Sequence, residues 1–340
     1  MTLVALAGCR SIADPDEQLL SDALARGGID VEAVAWDDPH VDWDRYDATV
    51  VRSTWGYDED LEGFLGWARR VPRLHNGAEV LEWNADKHYL DELAADGVAT
   101  IPTTYARSGE AARLPDGEVV VKPTVGGGAR GVARFGADQH GLARAHVDDL
   151  AGAGRVAMIQ PFVAPLALHG ETDVVFVDGA YSHAVAKHVV VGNVASASPS
   201  GASRTELVEP TRAQLEVARA AIDAAPFDGA LCYARVDLAA TDRGPLVVEL
   251  ELIEPYLFLL AAPAAASWTT SSRPMPVPPP VTTAMRPASC SMGASSCAPA
   301  TARGATVLSA WPRAATQRAA RCAIAAASRS AAAGAASRNR

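Results

Sequence analysis

Two short stretches of the chain set charged side chains at strand spacing. Arg235-Val-Asp237 and Glu249-Leu-Glu251 each carry a charged pair two residues apart, and a strand turns such a pair to one face. Asp242-Arg243-Gly244-Pro245 between them is turn chemistry, so the region reads as a hairpin on which Asp237, Glu249 and Glu251 converge. Carboxylates crowded into a cleft repel one another, and each is costly to desolvate unless a cation neutralises it. A divalent metal carrying phosphate oxygens meets that need, since Mg2+ combines one or two carboxylates with nucleotide oxygens. This stretch alone leaves a second reading open, in which the hairpin is a sheet edge with Leu250 and Leu252 inward and the glutamates in water.

Anion-binding chemistry lies upstream. Lys122 ends the strand-like run Glu118-Val-Val-Val-Lys122-Pro123, and Gly126-Gly127-Gly128-Ala-Arg130-Gly131 follows almost at once. Glycines let a backbone approach a ligand closely, and successive N–H groups there cradle phosphate oxygens beside a lysine point charge. The alternative is a glycine-rich hairpin turn. No Gly-Lys-Ser/Thr follows, so the loop is not a Walker A motif. Lys87 falls in the first turn of a helix expected from Asn84 to about Ala95, where a cation opposes the helix dipole. Ala180 to His188 alternates so as to put Tyr181, His183, Val185 and Lys187 on one face. No serine or cysteine nucleophile motif accompanies His183, which favours a structural or substrate-contact role over catalysis.

The elements that must position these groups begin with a strand over residues 2–8. Its Leu-Ala-Gly-Cys end mimics a lipoprotein signal, but it lacks a basic n-region and a long enough apolar core. Asp14-Pro15 then predicts a helix start, as cap and first residue, with the helix running to Arg26. Strands over Ile29 to Trp36 and Ala48 to Arg52, and a helix over Asp58 to Arg70, complete an α/β pattern that calls for a parallel sheet. Residues 1–82 are therefore expected to form a small α/β domain, without the GxGxxG turn of a dinucleotide site. Arg155 to Val163 reads as a strand entering an extended linker, Glu171 to His188 as a hairpin over Asp178-Gly179, Val191 to Ser203 as a flexible loop, and Thr211 to Ala224 as an amphipathic helix.

Composition bounds the rest. The 340 residues are 49% hydrophobic with a net charge of −10, enough for a large core. Residues 262–340 hold nine Arg and no Lys, Asp or Glu, leaving −19 for the remainder. An acidic body argues against a nucleic-acid surface, and no segment is long and apolar enough to span a membrane. The five cysteines form no CxxC or His-spaced set, which fits a reducing cytoplasm and no zinc. The stretch 261–340 is low in large apolar residues, and a mostly disordered tail is expected there. Its abrupt loss of acids suggests a shifted reading frame, with a natural disordered extension as the alternative.

Taken in order, Lys87, Lys122-Pro with the glycine loop, Gln160-Pro-Phe-Val163, Gly170-Glu171, Arg235-Val-Asp237 and Glu249-Leu-Glu251 resemble the ATP-grasp ligase superfamily over residues 1 to 260. Trp83-Asn84-x-x-Lys87, Ser182-His183-Ala184-Val185 and Glu249-Leu-Glu-Leu-Ile-Glu-Pro-x-Leu-Phe258 are similar to the branch that contains the O-ureido-serine cyclo-ligase; glutathione synthetase and RimK-type ligases are more distant. The resemblance implies an α/β N-terminal domain followed by α+β ATP-grasp lobes, a central one over 83–160 and a C-terminal one over 161–260. It implies ATP between the lobes, with Lys87, Lys122 and Gly126, Gly127 and Gly128 on the phosphates and Gln160, Phe162 and Val163 at the adenine. Glu171 and Asp173 both qualify for the ribose. Asp237, Glu249 and Glu251 would hold Mg2+, with Mn2+ a second option, and Arg235 and Lys187 would act on the reacting phosphoryl group. The superfamily commonly has Glu-x-Asn where this chain has Glu249-Leu-Glu251. Relatives often carry a basic substrate-binding motif between Val189 and Arg204, and here only Arg204 is basic. The implied reaction joins a small amino-acid-like carboxylate to an amine through an acyl phosphate, with ring closure within one molecule among its forms. A small-molecule kinase and a non-catalytic nucleotide-binding protein are the alternatives.

Overall fold

In a computed structural model of the chain, the described residues are 2–10, 14–188, 205–227 and 231–262. The loop with Arg204 and nearly all of the predicted disordered tail lie outside them.

Short apolar strands alternating with helices produce the first sheet. β1 (Thr2–Gly8), β2 (Ile29–Ala35), β3 (Ala48–Ser53) and β4 (Leu74–His75) lie in the order β2-β1-β3-β4, all parallel. α1 (Glu17–Arg26) and α2 (Leu61–Arg70) connect them. Leu20, Ala23 and Leu24 of α1 and Phe64, Trp67 and Ala68 of α2 are buried, in separate apolar clusters. Both helices start later than the sequence suggests. The residue before α1 is Asp16; Asp14 accepts from Asp16 N at 2.9 Å through Oδ1 while Oδ2 takes Arg52. Asp58 lies in a separate 3-10 turn, Tyr57–Glu59, and Asp60 caps α2 by accepting from Gly63 N.

The expected helix from Asn84 to Ala95 is two helices, α3 (Ala78–Ala85) and α4 (Tyr89–Ala95). Asp86 between them is extended, and the Lys87 N–H bonds Thr124 O at 3.0 Å instead of continuing a helix. Lys87 is thus not a first-turn cation, and the dipole cost read from sequence does not arise.

Two antiparallel sheets follow. β5 (Thr104–Ala106), β6 (Val119–Pro123), β7 (Ala133–Phe135) and β8 (Ala157–Pro161) form one in the order β5-β8-β6-β7. α5 (His140–Gly152) packs Ala143, Val147 and Leu150 against its apolar face. After α6 (Ala164–His169), the strands β9 (Glu171–Val177), β10 (Ala180–Lys187), β11 (Thr205–Val208), β12 (Tyr233–Ala239) and β13 (Leu246–Glu251) form the other, ordered β11-β10-β9-β12-β13. The turn from β9 to β10 has positive φ at both Asp178 (50°) and Gly179 (70°), the tight hairpin geometry that the Asp-Gly pair favours.

Period two splits the five-stranded sheet into unlike faces. Val174, Phe176, Ala234, Val236, Leu238 and Leu250 face the largest apolar cluster, which also takes in Ala218 and Ala221 of α7 (Arg212–Asp223). The other face carries the charge. β10 departs from simple alternation at Ser182, where the register shifts: Tyr181 pairs with Phe176 and His183 with Val175. Tyr181 therefore leaves the face shared by His183, Val185 and Lys187.

Candidate active site

Strand register assembles the charged face. Asp237 lies opposite Glu249 and Arg235 opposite Glu251, while on the other side Asp237 lies opposite Asp173 and Lys187 opposite Glu171. Arg235 is the hub. Its Nε reaches Asp237 Oδ1 at 2.7 Å and its Nη2 reaches Asp237 Oδ2 at 2.8 Å, a bidentate pair; Nη2 also binds Glu251, and Nη1 donates to Tyr256 O at 3.1 Å. Lys187 Nζ lies 2.9 Å from Glu171, 2.9 Å from Asp173 and 3.5 Å from Asp237. Oxygens of these three carboxylates come within 4.8 Å of one another. Arg235 and Asp237 are buried, so the hairpin is not a wet edge.

β13 is nevertheless the last strand of its sheet, with a backbone edge that needs partners. Side-chain amides supply them. Asn84 donates to Leu250 O and accepts from Leu252 N, both at 2.7 Å, and Tyr89 Oη accepts from Leu250 N. Asn76 donates to Leu252 O and Tyr233 O. This docking explains the Asn84-x-x-Lys87 spacing: Asn84 grips the strand carrying Glu249, and Lys87, three residues on, lies 3.2 Å from that carboxylate. Lys87 Nζ also donates to Gly126 O at 2.7 Å. Lys122 sits on β6, where the glycine loop begins. At Gly128 the loop backbone is left-handed (φ 60°), a conformation suited to glycine.

The electrostatics separate the three lysines. Burial pulls Lys187 down, but Asp173, Asp237 and Glu171 outweigh it and hold the ammonium well above its ordinary pKa. Burial likewise opposes Lys87, which Glu249, Glu251 and Glu254 nevertheless raise. Lys122 goes the other way: burial, reinforced by Lys87, lowers it, and among the described residues it has no ion pair. Burial and the neighbouring Asp237 raise Asp173. Asp237 itself is lowered, because Arg235 and Lys187 overcome its burial. Arg235 hydrogen-bonds Asp237 twice and stays 3.8 Å from Asp173, so a shared proton belongs on Asp173. Burial also raises Glu251 well above the carboxylate range. Glu254 is pushed up to about 7 by burial, with Glu249 adding to it and Lys87 and Arg235 opposing.

Six carboxylates (Glu171, Asp173, Asp237, Glu249, Glu251 and Glu254) thus meet four cations (Lys87, Lys122, Lys187 and Arg235). The surplus of carboxyl groups, some held toward the neutral form by burial, suits a divalent cation, and Lys122, without an ion pair among the described residues and beside a glycine loop, suits phosphate. Within the cluster, each carboxylate predicted for the metal has a protein cation: Glu249 has Lys87, Glu251 has Arg235, and Asp237 has Arg235 and Lys187. Glu171 and Asp173, predicted for the ribose, meet on Lys187. The residues predicted for the adenine lie at the end of β8. Gln160 Nε2 donates to Thr103 Oγ1 at 2.9 Å, Phe162 N donates to Glu118 O with its ring under the Arg134 guanidinium, and Val163 caps α6. His183 is buried, with Nε2 on Leu257 O at 2.8 Å and its pKa lowered by burial. Sequence reasoning missed Glu254 and Asp58. Glu254 had a signal, a third acid in Glu-Leu-Glu-Leu-Ile-Glu; Asp58 resembled an ordinary helix-start residue.

Comparison with known proteins agrees with this geometry. Residues 4–76 match the model of a family described as "D-cycloserine synthetase DcsG, N-terminal domain". The chain is 36% identical over 270 residues to the cycloserine biosynthesis protein DcsG of Streptomyces lavendulae, covering 72% of this chain and 88% of that protein. The crystal structure of D-cycloserine synthetase DcsG superposes with a TM-score of 0.69 at 35% identity, covering 76% of this chain and 93% of the other. Two further structures share the fold at low identity. They are the D-alanine–D-alanine ligase of Bacillus anthracis in complex with ATP (TM-score 0.54, 14% identity, 74% and 87% covered) and a RimK-domain ATP-grasp protein of Sphaerobacter thermophilus (TM-score 0.54, 16% identity, 76% and 93% covered). The fold is therefore ATP-grasp, and sequence identity maintained across most of a relative's length goes beyond likeness of fold: this chain is an ATP-dependent ligase and belongs to the cycloserine synthetase (DcsG) family.

Proposed function

We propose that the chain forms a C–N bond between the carboxylate and a nitrogen of a small amino-acid-like substrate, through an acyl phosphate, with both groups in one molecule as in the formation of a cyclic product. The observation that carries this reading is Lys122, a half-buried ammonium with no ion pair among the described residues, set beside the glycine loop and facing the carboxylates of the five-stranded sheet. Lys122, Lys87 and Gly126 to Gly128 would hold the phosphates of ATP, Gln160, Phe162 and Val163 the adenine, and Glu171 or Asp173 the ribose. Asp237, Glu249 and Glu251 would hold Mg2+, or Mn2+ in its place. The cleft would lie between lobes over 83–160 and 161–260, behind a domain over 1–82, in a cytoplasmic protein.

Bound ATP and its metal would supply the γ-phosphoryl group that converts the substrate carboxylate into an acyl phosphate, so that phosphate rather than oxide departs when nitrogen attacks. The chain's own residues supply position and charge. Arg235, locked by Asp237 and Glu251, presents a preorganised guanidinium to charge developing on the transferred group. Lys187, fixed among three carboxylates, stays protonated. The glycine loop closes the cleft to water, which would otherwise consume the activated carboxylate. No helix among the described residues is long and apolar enough to cross a membrane.

Phosphate release from ATP–Mg2+ with O-ureidoserine, alongside detection of the cyclic product, tests the proposal. The expected result is phosphate release that depends on the amino acid and matches product formation. A phosphorylated amino acid that accumulates without a new C–N bond would make the protein a kinase.

A further inference from the structure

Asp58 is a charged residue that the ligase site does not use. It lies in the 3-10 turn just beyond the C-terminal end of β3, entered through the left-handed Gly56 (φ 93°). Its side chain is only 1% exposed, and a carboxylate that buried requires cations. Both cations come from the four-stranded antiparallel sheet unit. Arg130 of the glycine loop pairs with Oδ1, and Arg155, in the turn between α5 and β8, brings Nη2 to 3.8 Å from Oδ2. Among the described residues, Oδ2 accepts no hydrogen bond. The loop backbone itself lies against this carboxylate: a Cβ on Gly126 would stand 3.8 Å from Oδ2. With Lys87 Nζ on Gly126 O, the loop is held at residue 126 by Lys87 and at residue 130 by Asp58.

We propose that Asp58 is a positioning residue for ligation, latching the glycine loop shut from the parallel-sheet unit through Arg130, with Arg155 as the standing counter-charge. The proposal rests on the ligase reading for its consequence but not for its geometry. Opening the loop removes Arg130 and leaves Asp58 with the more distant Arg155, so the buried carboxylate favours closure. Asp58 performs no chemistry. Its effect is to make closure over the phosphates, and hence exclusion of water from the activated carboxylate, depend on the parallel-sheet unit being in place.

Hydrogen exchange of the amides of residues 126–131, measured on the full chain without nucleotide, tests the latch directly. Asp58→Asn and Arg130→Gln should each speed exchange there about tenfold, with the double variant no faster than either single one. Arg130→Gln changes a partly exposed side chain, so it keeps the test open if Asp58→Asn fails to fold. In turnover, both variants should raise the ATP hydrolysed per cyclic product several-fold, and Arg130→Lys should restore part of the coupling. Unchanged loop exchange in Arg130→Gln, or effects that multiply in the double variant, would overturn the latch. The exchange measurement needs no substrate, so it judges the latch even if the chain catalyses another reaction.

Discussion

Two buried charge clusters in this protein follow opposite rules. On the five-stranded sheet, carboxylates outnumber cations, and among the described residues Lys122 has no ion pair. At the C-terminal end of the parallel sheet, Asp14, Asp16 and Arg52 form a set in which both carboxylates have partners, although Arg52 Nε has none among the described residues. Arg52 Nη2 bonds Asp14 at 3.1 Å and Nη1 bonds Pro255 O at 3.3 Å, while Asp16 accepts from Leu259 N and Leu260 N at 3.2 and 3.3 Å. The first cluster leaves a lysine without an ion pair among the described residues, as a site for an anionic ligand would. The second satisfies its carboxylates internally and clasps the segment after Glu254 to the N-terminal sheet. Burial of charge is therefore no mark of function; what separates the clusters is that one sets a lysine without an ion pair among the described residues beside a glycine loop, and the other ties chain segments together.

The largest effect expected from this contrast is at Glu249. Glu249→Ala should lower ATP consumption at least about a thousandfold, as removal of a group that holds charge in a transition state does. Its melting temperature should fall less than that of Arg52→Ala, because the glutamate is partly exposed and its loss leaves Lys87 the Gly126 carbonyl. Full ATP turnover in this variant would break the contrast. Arg52→Ala should do the reverse. Leaving Asp14 buried and unpaired should cost about 3–5 kcal/mol in denaturant unfolding, while the KM for ATP of the fraction that folds stays the same. An unfolding midpoint equal to that of the parent chain would show the clasp to be dispensable.

A smaller effect concerns pH. Burial raises Asp16 to about 6, against the pull of Arg52 and the two backbone N–H groups. Between its unfolded value near 4 and about 6 the folded protein keeps a proton that the unfolded chain has released. Stability from this group is thus full below the window and declines as pH rises through it, by about 3 kcal/mol for a shift of this size. Asp16→Asn should flatten that part of the curve in melts from pH 4 to 7. A slope as steep in the variant as in the parent would assign it to another group.

Much of this was legible in the chain. The β12–β13 hairpin with its charged face, the Asp178-Gly179 turn and the alternating strands and helices of the first domain rest on local rules: two-residue strand periodicity, turn chemistry, and helix stops at glycine. The misreadings share a cause, because each involves a backbone or side chain captured by something distant in sequence. Lys87 leaves the helix because its N–H bonds Thr124, which lies 37 residues away in the chain. Asp58 is taken by Arg130, and Tyr181 crosses to the other face at a bulge. No local pattern encodes those partners.

The sequence by itself determined which charged residues share a strand face, because residue type and two-residue spacing dictate it. It also determined the family, through the order of short motifs. Only the tertiary structure decided how the charges divide. It set Lys187 among three carboxylates, left Lys122 with no ion pair among the described residues and joined Asp58 to the glycine loop. Such pairings depend on which strands become neighbours and on how deeply burial strips water from each group, and both are properties of the assembled fold.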